Sequence, residues 1–310
     1  MRWKGRNRSG NVNDARGQSG GGFGFPGGGR RSLPIGGRRG SGGMGIGTMI
    51  IIGIVLMVLG INPLKLLGGG LGGSLGGGLS PQMQTPQRQQ APRTQYSNDE
   101  MKSFVQTILG STEQVWATIF ASYGKQYPKP ELNLFTQQIR SACGLASSAS
   151  GPFYCPGDSE IYIDLSFYRE LEQKFGAGGD FAQAYVLAHE VGHHVQNIIG
   201  VLPQFNKMRR SMGKAQFNKE SVKVELQADC FAGVWGHYVN REGWLEPGDL
   251  EEALVAANQI GDDAIQKRTQ GYVVPESFNH GTSEQRRFWF RRGFESGRIE
   301  SCDTFNARKL

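Results

Sequence analysis

The residues with the most chemistry in them lie within Ala184–Gln196, which reads AYVLAHEVGHHVQ. His189, Glu190 and His193 form the H-E-x-x-H pattern. On a helix, positions i and i+4 share a face, so both imidazoles can grip one Zn2+ ion. Glu190 sits one step round and can reach a water on that ion. The run before His189 is apolar, which suits a helix buried beneath a cleft. Five residues with two free positions are a weak signature by themselves, and unrelated proteins carry them too.

A second stretch supplies what the first lacks. Val222–Trp235 reads VKVELQADCFAGVW, with Glu225 and Asp229 again at i and i+4. A catalytic zinc takes three protein ligands and keeps one position open. Glu225 completes the three. Asp229 can then accept the free ring N–H of a ligating histidine and fix its tautomer. A solvated acidic face is the plain alternative for this spacing. Against it, the two acids stand among Val222, Val224, Leu226, Ala228 and Phe231, where unpaired carboxylates are costly.

His189–His193 followed by Glu225–Asp229 resembles the gluzincin arrangement of thermolysin-type peptidases. More narrowly, the chain resembles the predicted neutral zinc metallopeptidase family of bacterial membranes. The likeness runs through the RWKGR…NV start, a single apolar span, AHEVGHHVQ, ELQADCFAG and HGTSEQR. It implies a zincin-like fold, with His189, His193 and Glu225 holding one zinc per chain and Glu190 as catalytic acid. It says little about substrate. His280 opens HGTSEQR, with Arg286 six residues on. That pattern is similar to one in integral-membrane CAAX-type gluzincin proteases, where a His and an Arg at this spacing lie near the metal. By that likeness His280 steadies an oxyanion. A helix-start loop capped by Thr282 or Ser283 explains the segment equally well. Asp262 and Asp263 read either as supporting acids or as a helix-end turn. His194 points off the ligand face and is expected either to back a ligand or to lie at the surface, whereas His237 lies two turns beyond Asp229 and is expected to be structural.

The elements that must position these groups follow from pattern. Ser97 with Glu100, and Ser111 with Gln114, form capping-box patterns that predict helices over 98–109 and 112–123. Pro128 and Pro130 break the chain. ELNLFTQ at 131–137 and IYIDLSFY at 161–168 alternate like strands, the second with Ile161, Ile163, Leu165 and Phe167 on one side. Helices then dominate, over about 168–175, 180–199, 219–240, 249–267 and 283–297. The order predicts an α+β domain, mostly helical with a small β-sheet.

Residues 44–61, MGIGTMIIIGIVLMVLGI, carry no charge and would cover roughly 27 Å as a helix, close to a bilayer's hydrocarbon core. Nine basic residues precede this run and one, Lys65, closely follows it, so the positive-inside rule expects the N-terminus in the cytoplasm and the rest across the membrane. A cleaved signal peptide is less apt, because the apolar run is long and no A-x-A site follows. The chain thus divides into a disordered basic tail (1–43), a transmembrane helix (44–63), a Gly/Pro/Gln-rich tether (64–97) and a metallopeptidase domain (98–310). The expected location is the bacterial inner membrane, single pass, with the catalytic domain periplasmic.

Whole-chain net charge is +7, but residues 1–98 hold +11, leaving −4 on the globular part. Nucleic acid is therefore disfavoured as a partner; an Arg/Gly-rich nucleic-acid arm at residues 1–43 is the competing view of the tail. Four cysteines fit two disulfides in an oxidising compartment, with three pairings open. Cys143–Cys155 is the natural local bridge, leaving Cys230–Cys302. The expectation is a membrane-anchored zinc endopeptidase acting on protein or peptide through a metal-activated water. The alternative is a non-catalytic zinc-binding assembly module.

Overall fold

The computed structural model describes residues 1–17 and 97–310. The expected span at 44–63 and nearly all of the tether lie outside them. Among the described residues no helix is long and apolar enough to cross a membrane.

Two layers make up the body, a small mixed sheet and a set of packed helices. The strands are β1 (Val12–Asp14), β2 (Glu131–Phe135), β3 (Gln138–Ser141), β4 (Gly144–Ser147), β5 (Phe153–Cys155) and β6 (Glu160–Asp164). The main sheet runs β1-β2-β6-β5, and β3 and β4 form a separate hairpin. β1 and β2 are parallel, as are β2 and β6, whereas β5 is antiparallel to β6. The helices are α1 (Asn98–Ser122), α2 (Ser166–Gln173), α3 (Asp180–Ile198), α4 (Val201–Arg209), α5 (Lys214–Arg241), α6 (Asp249–Gln259), α7 (Asp262–Gln270) and α8 (Ser283–Ser296). The α+β expectation holds.

Several boundaries differ from the sequence reading for local reasons. The two short N-terminal helices are one, α1. Ser97 does cap it, its hydroxyl accepting from Glu100 N–H at 3.2 Å, but Ser111 Oγ donates back to Ile108 C=O at 2.7 Å instead of starting a new helix. The single helix expected over 249–267 breaks at Gly261, where a Cβ would lie 2.4 Å from Ser283 N. The strand expected over 161–168 stops at Asp164, whose Oδ1 accepts from Ser166 N–H at 2.9 Å as α2 begins. Within β6 the expected alternation holds. Ile161 and Ile163 enter the main core and Tyr162 a small cluster with Phe135 and Cys155, so both faces are covered. Tyr168, placed on the outer side by alternation, is buried in the main core because it belongs to α2.

The largest correction concerns the N-terminus. Residues 1–17 are not disordered but form a strap across the body. Its backbone donates from Arg2 N to Trp244 C=O, from Ser9 N to Gln106 C=O and from Ala15 N to Leu134 C=O, at 2.7, 2.9 and 2.8 Å. Trp3 is 4% exposed and meets Phe104 of α1 edge-on, with ring centroids 5.3 Å apart. The Met1 ammonium lies 2.8 Å from Asp180 and 3.3 Å from Asp249. Both disulfides form as favoured, Cys143–Cys155 and Cys230–Cys302.

Trp3→Ala is expected to cost about 3–5 kcal/mol in chemical unfolding, the range for emptying a buried aromatic site; a loss under about 1 kcal/mol would mean the strap contributes little. A second expectation concerns Glu252, which neighbours Asp180 and Asp249 but forms no ion pair of its own among the described residues. Burial, then the Asp180 charge, pushes its carboxyl up to about 7. A raised carboxyl pKa favours the folded state at low pH, and that contribution is lost as pH rises through 7. Glu252→Gln should therefore raise the melting temperature relative to wild type at pH 8 and leave it nearly unchanged at pH 4. Equal effects at both would contradict this.

Candidate metal centre

α3 and α5 cross at Gly192, the second free position of the H-E-x-x-H pattern. A Cβ there would lie 2.9 Å from Ala228 C=O and 3.1 Å from Ala228 Cα, so the two backbones touch where only a glycine fits. This contact brings the i, i+4 face of α3 against that of α5. His189 and His193 meet edge to face with ring centroids 4.7 Å apart. Glu225 lies opposite, its Oε2 at 3.2 Å from His189 Nε2 and its Oε1 at 3.7 Å from His193 Nε2. One ligand atom from each of the three falls within 4.8 Å of the other two, close enough to hold a single metal ion.

The groups behind these side chains decide which nitrogens face inward. His189 Nδ1 donates to Asp229 Oδ1 at 2.8 Å, since a carboxylate can only accept. Asp229 is fully buried and also accepts from Tyr185 OH at 2.6 Å and from Arg286 Nε and Nη2 at 2.8 and 2.9 Å. His193 Nδ1 meets Gln196 Oε1 at 2.8 Å. Gln196 Nε2 donates to Val224 C=O at 2.7 Å, which identifies Oε1 as the acceptor and His193 Nδ1 as the donor. Each ring thus turns its Nε2 toward Glu225.

Charge at the site is balanced by pairs. Burial raises Asp229, but Arg286 and then His189 outweigh it and hold the carboxyl down to about 2. Burial lowers His189, but Asp229 and Glu225 outweigh it and push the imidazole up to about 10. Burial raises Glu225, yet the two histidines hold it well below the ordinary range. Two imidazole nitrogens and one carboxylate are a donor set suited to zinc, so these residues fit the ion.

Glu190 lines the same cleft, buried and aligned one position round from His189. Burial raises its carboxyl pKa, with the two histidines pulling the other way. His280 also lines the cleft. Its Nδ1 lies 3.1 Å from Asp262 Oδ1, while Asp262 Oδ2 accepts the backbone N–H groups of Asn279, His280 and Gly281. Asp262 therefore shapes the loop that aims His280. Thr282, not Ser283, caps α8, and Asp263 accepts from Ser283 N–H at 2.7 Å. The segment is a helix-start loop, and it borders the cleft. His237 is structural as expected, donating to Phe294 C=O, whereas His194 is buried instead of lying at the surface and bridges Pro128 C=O and Tyr154 OH.

Sequence reasoning missed Gln196 and Tyr185. Both stand at helical spacing from a ligand, Gln196 at i+3 from His193 and Tyr185 at i−4 from His189, and that spacing is the signal that points to them. The cavity in front of the ligands, about 350 Å3, was not legible either. Its walls include Phe153, Phe167, Phe175, Val186, Leu202 and Phe205, from five separate segments.

Removing the carbonyl that orients His193 tests this arrangement. Gln196→Ala should weaken zinc binding about 10–100-fold, the usual cost of losing a ligand's outer partner. A chelator competition titration reads this directly, and unchanged affinity would contradict it.

Comparison with known proteins agrees with the geometry. The sequence profile of the family described as "Putative neutral zinc metallopeptidase" matches residues 1–305. The chain is similar to the "Uncharacterized protein YpfJ" of Escherichia coli K12, with 47% identity over 307 residues, covering 98% of this chain and 99% of that protein. It is also similar to the "Uncharacterized protein Rv2575" of Mycobacterium tuberculosis H37Rv, with 43% identity over 211 residues, covering 64% of this chain and 69% of the relative. No solved structure matches. With a profile spanning nearly its whole length, the chain belongs to the family described as "Putative neutral zinc metallopeptidase".

Proposed function

We propose that this protein is a membrane-associated zinc endopeptidase of the zincin type, with His189, His193 and Glu225 as ligands and Glu190 as the group that moves protons. One observation carries the reading: three nitrogen and oxygen donors converge within 4.8 Å in a cleft that also contains a buried glutamate with a raised pKa. A closed structural zinc site has four protein ligands, often cysteines. Here all four cysteines are bonded to one another.

Zinc held there supplies Lewis acidity to a scissile carbonyl and draws the pKa of a water from ~15.7 toward ~7. Glu190 takes the proton of the attacking water on its carboxylate and delivers it to the leaving amine nitrogen. Burial brings its pKa closer to neutrality than an exposed glutamate's, which suits both transfers. His280, held through Nδ1 by Asp262, supports the carbonyl oxygen as negative charge grows on it. Asp229, clamped by Arg286, keeps His189 turned toward the ligand position.

An extended peptide can add to an open sheet edge. β6 offers no such edge, because it is paired on both sides. β5 is the edge strand beside the cleft, which its Phe153 and Tyr154 line. A polypeptide laid along β5 would pass over the ligands with one side chain entering the apolar chamber. Its aromatic and aliphatic walls favour a large apolar residue there. Two disulfides favour an oxidising, extracytoplasmic setting, and the apolar run at 44–63 favours attachment to a membrane.

Two variants test this reading. Glu190→Gln should retain one zinc per chain and lose at least about 10²-fold in peptide hydrolysis; undiminished cleavage would reject the role of Glu190, and a zinc-loaded wild type inert on unfolded proteins would favour a non-catalytic module. His280→Ala should lower kcat by about 10²–10³-fold with little change in KM, as expected for support given in the transition state. A change confined to KM would place His280 in substrate binding alone.

A further inference from the structure

We infer that residues 1–17 lie on the same side of the membrane as the metallopeptidase body, so that the apolar run 44–61 does not separate the two by a single crossing. The strap is an integral part of the fold. β1 is the outermost strand of the main sheet and pairs with β2 in the register Val12–Leu132, Asn13–Asn133 and Asp14–Leu134. Asn13 Nδ2 donates to Asn133 Oδ1 at 2.9 Å. Ser9 Oγ and Asn11 Nδ2 both donate to Glu113 Oε1, at 2.6 and 2.8 Å, and Glu113 is buried beneath them. Gly110, an awkward residue for the middle of a 25-residue helix, sits where the strap crosses α1, and a Cβ there would lie 3.0 Å from Ser9 N. The body thus carries a groove cut to the backbone of residues 7–9.

The same contacts explain why the charge bias points the other way. Of the nine basic residues before the apolar run, five (Arg2, Lys4, Arg6, Arg8 and Arg16) belong to the strap. Arg2 pairs with Glu246 at 3.4 Å, Lys4 with Glu100 at 2.6 Å and Arg16 with Asp14 at 2.7 Å, while Arg6 stacks over the Trp244 ring at 4.5 Å. Arg2, Lys4 and Arg6 serve docking, and counting them as topogenic overstates the positive-inside signal. Placing the N-terminus across a membrane from the body would strip Trp3 from its site, leave one edge of β2 unpaired and take from Glu113 Oε1 its two donors. A connection whose ends share one side crosses a bilayer an even number of times or not at all. Residues 18–96 hold only one uncharged apolar run of 18 residues. The expected arrangement, N-terminus inside and domain outside, is therefore replaced by one in which both lie together.

Site-specific labelling of the full chain in cells tests this without reference to activity. The four native cysteines are bonded in pairs, so a new thiol is the main target. Arg8→Cys reports on the strap and Lys125→Cys on the body; both positions are exposed. Asn7→Cys, also exposed, is a second reporter should Arg8→Cys accumulate poorly. Each is treated with a membrane-impermeant maleimide in intact and in permeabilised cells. The ratio of intact to permeabilised labelling should agree within about twofold between strap and body, whether both are open or both are shielded. A tenfold difference, with one position open and the other protected in intact cells, would overturn the inference.

Discussion

The buried contact among His189, Asp229 and Arg286 is the constraint around which the rest of the structure is arranged. Asp229 has no solvent exposure and four hydrogen-bond donors converge on it. An ionised carboxylate at that depth survives only when paired, and removing its partner from such a buried pair typically costs about 3–5 kcal/mol. The arginine that pairs with it comes from α8, the tyrosine and histidine from α3, and the aspartate itself from α5. Three helices are thus tied through one carboxylate. The result is a fixed imidazole with its second nitrogen aimed at Glu225. Gly192 makes this geometry reachable by letting α3 and α5 approach to backbone contact.

The two histidines proposed as ligands are held by different means. His189 leans on a charged acceptor backed by a guanidinium, whereas His193 leans on the neutral amide of Gln196, which is itself fixed to the α5 backbone. A carboxylate partner raises ligand basicity more than an amide does. Both partners also cross-link α3 to α5, so the orientation of the ligands and the packing of the helices are one problem with one solution. The Gln196 chain continues through Gln227 to Cys302 C=O, next to the bridge that joins Cys302 to Cys230 on α5.

The residues that could hold a metal, His189, His193 and Glu225, were legible because i, i+4 spacing is a local helical property that survives any tertiary context. The same holds for the capping of α1 by Ser97 and of α8 by Thr282, and for the strand at β2. What sequence could not supply was set by distant contacts. The 111–114 capping box is absent because Ser111 bonds backward within a continuous helix, and the edge strand is β5 because β2 covers the other side of β6. The basic N-terminus looked like a topogenic tail because its charges, counted along the chain, carry no record of distant partners such as Glu246 for Arg2 and Glu100 for Lys4. The loop carrying His280 has its shape from Asp262, an acid whose Oδ2 takes three backbone N–H groups while its Oδ1 meets the His280 ring, contacts that no local pattern announces.

The central claim is that two imidazoles and one carboxylate from α3 and α5 hold a single zinc with room left for a water. X-ray absorption at the zinc edge on the metal-loaded protein measures this most directly. The account predicts one zinc per chain with a nitrogen and oxygen shell at about 2.0–2.2 Å, two imidazole rings in the outer scattering and no sulfur. A shell without imidazole, or one containing sulfur at about 2.3 Å, would contradict it.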